Sequence, residues 1–161
     1  MANLEEKIGK LLIAKGLKVS VTESCTGGLL SSKLTDVSGS SAYITLNLTT
    51  YSNEAKMKML GVPAKILEKY GAVSEECAFN MAKGLYSLTG SDICISTTGI
   101  AGPTGGSAEK PIGLMYSTIY SDKIHKTCKI TLNPDLPRVE MKIKFTENVL
   151  ENLYNFLNDN F

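Results

Sequence analysis

A serine and a cysteine stand side by side in Thr22-Glu23-Ser24-Cys25-Thr26-Gly27-Gly28, between two apolar runs. The run before it, Leu17 to Val21, is short and reads as a strand. The run after it begins at Leu29 and has helical spacing. That order sets Ser24 at a strand-to-helix turn, where a hydroxyl lies beside the unpaired N–H groups that open a helix. Such a place suits a nucleophile, an oxyanion or a phosphate. The plainer reading is a helix N-cap followed by glycines that allow tight packing.

A second segment has the same character. Thr98-Gly99-Ile100-Ala101-Gly102-Pro103-Thr104-Gly105-Gly106-Ser107 follows the apolar run Ile93 to Thr97 and contains four glycines. Backbone N–H groups in such a loop can approach a ligand closely. In open α/β sheets, ligands bind at the carboxyl ends of strands, where both segments fall. The loop has no Gly-Lys-[Ser/Thr], and neither glycine-rich segment opens a helix with GxGxxG. ATP hydrolysis and dinucleotide binding are therefore disfavoured.

A serine nucleophile needs a base. The chain has one histidine, His125, in the alternating stretch Lys123-Ile124-His125-Lys126-Thr127, where it reads as a solvated surface residue. Lysine and tyrosine remain. Lys56 follows a polar loop at a strand-to-helix junction, Tyr51-Ser52-Asn53-Glu54-Ala55-Lys56, with Ser52 or Asn53 as the N-cap. Buried lysine loses its proton more readily and can act as a base; solvated, it is an ordinary helix residue. Tyr51 is either a catalytic group or an aromatic at the core edge.

Composition narrows the class. The chain has 161 residues, 43% apolar and 20% charged, with net charge +1. It is long enough for one domain with its own core. No charge run suggests capture of nucleic acid or a membrane surface. The first residues lack a signal-peptide layout, and no apolar run approaches the ~20 residues that span a bilayer. A cytoplasmic protein is expected. Cys25, Cys77, Cys94 and Cys128 form no metal-ligand spacing, and Cys77 and Cys94 read as core residues. No metal and no cofactor are expected.

The elements that must position these residues follow from periodicity. Helices are predicted over 3–15, 27–35, from about 53, over 63–70, 74–90 and 137–158. Strands are predicted over 17–21, 42–50, 93–97, 112–120 and 124–132, the last two joined as a hairpin at Ser121-Asp122-Lys123. A hairpin makes part of the sheet antiparallel. The fold class is α/β, a three-layer α/β/α sandwich around a mixed sheet of about five or six strands.

Six segments, in order over nearly the whole chain, resemble the CinA C-terminal domain family: Thr22 to Gly28, Tyr51 to Lys56, Leu60-Gly61-Val62-Pro63, Gly71-Ala72-Val73-Ser74-Glu75-Glu76, Thr98 to Pro103, and Glu109-Lys110-Pro111-Ile112-Gly113. The resemblance implies a nicotinamide-nucleotide amidase of pyridine-nucleotide salvage, hydrolysing nicotinamide mononucleotide to nicotinate mononucleotide and ammonia. It implies Ser24 as nucleophile and Tyr51 and Lys56 as its catalytic partners. Substrate contacts would come from Thr26, Gly27, Gly28, Asn53, Thr98, Gly99, Gly102, Gly105, Gly106 and Arg138. Backbone N–H groups at Thr26-Gly27 would hold the oxyanion.

Two departures stand out. Asp135-Leu136-Pro137 replaces the family's glycine-aspartate approach to two basic residues, here Arg138 and Lys142. Leu46 and Asn47 stand where the family has glycines, and the leucine is expected to fill space a substrate would use. Loss of catalysis, leaving a nucleotide-binding module, is the alternative this raises. The expected partner is a small-molecule nucleotide, with no nucleic acid and no membrane, and the chain is expected to form a homo-oligomer. It lacks the larger N-terminal domain of some relatives, so a free-standing amidase is expected.

Overall fold

The computed structural model describes residues 2–161. Six helices surround a five-stranded sheet: α1 (Leu4–Lys15), β1 (Val19–Glu23), α2 (Leu29–Thr35), β2 (Ile44–Thr49), α3 (Asn53–Leu60), α4 (Ala64–Tyr70), α5 (Glu75–Thr89), β3 (Ile93–Gly99), β4 (Leu114–Tyr120), β5 (His125–Thr131) and α6 (Arg138–Asn160). The strand order is β2-β1-β3-β4-β5. β1 runs parallel to both neighbours, while β3–β4 and β4–β5 are antiparallel. The sheet is mixed, as the hairpin requires.

Side-chain alternation sorts the two faces. Val19, Val21, Ile93, Ile95, Met115 and Ile119 pack against Ile8 and Leu12 of α1, Leu30 and Leu34 of α2, and the apolar stripe of α6. On the other face Cys94 meets Leu60 of α3 and Cys77, Met81 and Leu85 of α5. This gives the three layers. Gly84 lets α3 and α5 touch: a Cβ there would lie 1.9 Å from the Leu60 carbonyl oxygen.

Element ends differ from expectation where polar residues join the sheet. β1 extends to Glu23 and β3 to Gly99, carrying Thr22, Glu23, Thr97 and Thr98 into buried ladder positions. Their polar groups are paired by side chains and backbone groups of neighbouring segments, so the sheet tolerates them. α2 begins at Leu29, two residues late, because Gly27 and Gly28 take positive φ of 60° and 99°. Residues 40–42 form a 3₁₀ turn, which delays β2 to Ile44. No helix is long and apolar enough to cross a membrane among the described residues.

Candidate active site

The parallel strands β1 and β3 end side by side, and their loops enclose a cleft of about 270 Å³. Ser24, Cys25, Tyr51, Asn53, Lys56, Thr98, Gly99, Gly102, Gly105 and Arg138 line it, with Ala72 and Val73 on one wall. No carboxylate is among the lining residues, while Lys56 and Arg138 are. With no lining carboxylate and the Arg138 guanidinium on its wall, the cleft suits an anionic ligand.

Lys56 is the centre of the arrangement. Ser52 caps α3 by accepting the Ala55 N–H, which fixes the first turn of the helix that carries the lysine. Only 1% of Lys56 is exposed. Its Nζ lies 3.2 Å from Ser24 Oγ, 3.0 Å from the Thr50 carbonyl oxygen and 3.2 Å from the Tyr51 carbonyl oxygen. Burial lowers its pKa from the usual 10.5, against a smaller opposing influence of the Cys77 and Cys25 thiols. A neutral amine has two N–H groups and one lone pair. As an ammonium, Lys56 donates to both carbonyls and to Ser24 Oγ; once it gives up a proton, the two carbonyls hold its remaining N–H groups and the lone pair is available to the Ser24 hydroxyl.

Ser24 is held by its surroundings rather than by helix capping. Its backbone N–H donates to Thr97 Oγ1 at 3.3 Å. Glu23, fully buried, accepts from Thr26 Oγ1, the Leu30 and Ser31 N–H groups and Ser31 Oγ. The carboxylate thus occupies the positive end of α2. Gly27 N–H is also committed, to the Ser24 carbonyl, and Leu29 N–H to that of Thr26. Of the Thr26-Gly27 pair expected to face an oxyanion, the Gly27 N–H is therefore taken. The N–H groups of Cys25 and Thr26 donate to no backbone carbonyl among the described residues.

Several other expected contacts lie elsewhere. The Thr26 side chain is fully buried and turned toward Glu23 and Thr97. Gly27 and Gly28 shape the turn without lining the cleft, and Gly27 lies beneath the Lys142 ammonium, 3.2 Å from where its Cβ would be. Gly106 packs on Ile112, outside the cleft. Thr98, by contrast, lines the cleft and donates to the Ala72 carbonyl oxygen at 2.7 Å, fastening the opposite wall. Leu46 packs into the α3–α5 core and not into substrate space. Asn47 also stays outside the cleft, its buried Oδ1 without a donor.

Tyr51 precedes the N-cap of α3 in extended chain, so its side chain points outward and is 59% exposed. Its hydroxyl accepts from Arg138 at 3.0 Å, and Arg138 also donates to the Gly102 carbonyl oxygen at 2.6 Å. Arg138 thereby bridges α6, the glycine-rich loop and Tyr51. No hydrogen bond joins the Tyr51 hydroxyl to Ser24, so the arrangement offers no direct relay through the phenol. Cys25 is buried, and desolvation pushes its thiol up to about 12, which disfavours a thiolate nucleophile. His125 is exposed and stacks near Phe79 and Tyr120. Among the described residues no group of three or more His, Cys, Asp or Glu could hold a metal ion.

Sequence reasoning missed Thr97 and the wall residues Ala72 and Val73. Thr97 has a visible signal, the hydroxyl run Ser96-Thr97-Thr98 at the end of an apolar strand. Ala72 and Val73 carry no polar group and are recognisable only from the packing of α4 and α5.

Residues 1–157 match the CinA C-terminal domain model. The chain is 44% identical over 159 residues to a CinA-like protein of Chlorobium limicola, covering 97% of this chain and 37% of that protein. It spans 35 to 37% of the length of such curated relatives. The competence/damage inducible protein CihA of Agrobacterium tumefaciens superposes with a TM-score of 0.89 at 37% identity, covering 98% of both chains. A CinA superfamily protein of Klebsiella pneumoniae 700603 gives 0.92 at 29% identity, covering 97% of this chain and 96% of that one. Matched in sequence along nearly its whole length and in fold to solved structures, the chain belongs to the CinA C-terminal domain family.

Proposed function

We propose that this domain is an amidohydrolase that cleaves the carboxamide of nicotinamide mononucleotide through a covalent acyl-serine. The observation that carries the reading is the buried Lys56 amine, with two backbone carbonyls taking its N–H groups and Ser24 Oγ at 3.2 Å.

Ser24 Oγ attacks the carboxamide carbon, and its proton passes to the Lys56 lone pair. The oxygen of the tetrahedral intermediate is met by the Cys25 and Thr26 N–H groups, the turn amides that donate to no backbone carbonyl. One such donor is worth roughly 3 to 4 kcal/mol in a well-studied protease. The C–N bond breaks, the Lys56 ammonium protonates the leaving nitrogen, and ammonia departs. Water then attacks the ester and gives its proton to Lys56. The C–O bond to Ser24 breaks, Ser24 regains a proton, and the acid is released.

The rest of the cleft fits the remainder of such a substrate. Arg138 spends one N–H on Gly102 and one on Tyr51, which leaves further donors for a phosphate. Gly99, Gly102 and Gly105 allow close approach of backbone. Asn53 and Thr98 supply polar edges, and Tyr51 serves to hold Arg138 and, through its carbonyl oxygen, to accept from Lys56. The binding-module reading rested on Leu46 and Asn47, and both lie outside the cleft.

The test is ammonia release from nicotinamide mononucleotide, with nicotinate mononucleotide identified by mass. Wild type should turn over and Ser24→Ala should lose at least about 10³-fold, as removal of a nucleophile does. Equal ammonia release by both proteins would refute the assignment.

A further inference from the structure

The strand alternation that sends Ser96 and Thr98 toward α5 and the 71–74 segment sends Thr97 the other way, onto the nucleophile turn. Ser96 Oγ donates to the Ala78 carbonyl and Thr98 Oγ1 to that of Ala72. Thr97 is fully buried, with Oγ1 2.8 Å from Thr26 Oγ1 and 3.3 Å from the Ser24 nitrogen. Either hydroxyl could donate in the Thr26–Thr97 pair taken alone. The carboxylate settles it. Thr26 Oγ1 gives its proton to Glu23 Oε1 at 2.6 Å. Thr97 must therefore donate to Thr26, and its oxygen is then free to accept from Ser24 N–H.

The result is a directed chain, Ser24 N–H to Thr97, Thr97 O–H to Thr26, Thr26 O–H to Glu23. Glu23 is itself pinned by the Leu30 and Ser31 N–H groups and by Ser31 Oγ. Each member has one orientation, and each is buried, so the turn has no alternative solvent partners to drift toward. Thr97 touches none of the reacting atoms.

We infer that Thr97 is a positioning residue that fixes the Ser24 backbone against β3, and so the Oγ–Lys56 distance, with Glu23 as the anchor of the chain. The inference rests on the reading of Ser24 as nucleophile; it does not depend on which amide is cleaved. Misplacing a nucleophile by about 1 Å can cost on the order of 10²-fold in rate. Thr97→Val keeps the shape, removes the acceptor of Ser24 N–H and strands the Thr26 oxygen. Thr97→Ser keeps the hydroxyl.

The experiment uses two readouts on the full chain. One is the rate at which a fluorophosphonate labels Ser24, which needs no substrate. The other is kcat and KM on nicotinamide mononucleotide against pH. Thr97→Val should slow labelling and lower kcat by about 10- to 100-fold with KM within about twofold. Thr97→Ser should recover most of both. The pH midpoint of activity should not move, because Thr97 makes no contact with Lys56. If Thr97→Val does not fold, Thr26→Val removes the middle of the chain and should give the same losses. Wild-type labelling by Thr97→Val, failure of Thr97→Ser to rescue, or a shifted pH midpoint overturns the inference. Labelled wild type that leaves the mononucleotide intact sinks the amidase reading and leaves the labelling comparison decisive for Thr97. Wild type that is not labelled overturns the inference together with Ser24 as nucleophile.

Discussion

The turn after β1 and the loop after β3 leave neighbouring strand ends and face the same cleft, yet they are built in opposite ways. Residues 23–28 are mostly buried and are tied by the Glu23, Thr26 and Thr97 hydrogen bonds. Residues 103–109 are exposed throughout, and Arg138 ties the loop at Gly102. The contrast divides the labour of the site. On the proposed reading, bond making, which needs atoms held to fractions of an ångström, sits on the hydrogen-bonded turn. On the same reading, enclosing a flexible phosphate, which needs adaptable donors, falls to the glycine-rich loop and Arg138.

Breaking the rigid half should have the largest effect. Lys56→Arg keeps the charge but cannot give up its proton, and its rate should fall by about 10² to 10⁴-fold, the usual worth of a positioned base. Wild-type kcat/KM should rise with pH through one ionisation below 10.5, since burial lowers the Lys56 pKa. Steady-state rates across pH for both proteins check this. An active Lys56→Arg with the wild-type profile would remove Lys56 from the base role.

Breaking the adaptable half should mainly change binding. Arg138→Ala should raise KM for the mononucleotide by about 10- to 100-fold, the worth of one charged hydrogen-bonding partner, with a smaller effect on kcat. The same variant should show no KM change on the corresponding riboside, which lacks the phosphate. An equal loss on both substrates would mean that Arg138 acts by holding Tyr51 and Gly102.

A smaller effect separates the two halves in stability. A lysine whose folded pKa is depressed binds fewer protons folded than unfolded, so its contribution to stability improves as pH rises from that depressed value toward 10.5. Urea unfolding should therefore show wild type gaining on Lys56→Met between neutral and alkaline pH. Parallel curves would contradict the lowered pKa. Arg138→Ala, at an exposed position, should show no such trend. The smallest expected effect is none: exhaustive EDTA treatment should leave turnover unchanged, and loss restored by one divalent ion would refute the lysine–serine mechanism.

The layers and element order were legible because apolar spacing along α1, α5 and α6 and in β3 and β4 reports burial directly. Ser24, Lys56 and the glycine loop were legible as unusual residues at strand ends. The roles of Glu23 and Thr97 were not. A glutamate and a threonine at the end of a strand look like solvent-facing residues, and only the crossing of α2 over β1 and β3 makes them buried partners. The motif at Tyr51 could not tell that its ring lies at the exposed rim of the cleft, hydrogen-bonded to Arg138. Leu46 misled because a sequence position does not say which face of a strand it occupies.

The contact at Gly84 works as a spacer of zero thickness. With no side chain on α5 at that point, the last turn of α3 rests on helix backbone, and the lysine one turn earlier is set at a fixed depth beneath the strand ends. Any added atom there would lift the whole helix like a shim under a bearing, and the amine would move with it. The reach of the Lys56 amine toward Ser24 is thus gauged on the far side of the helix, at Gly84.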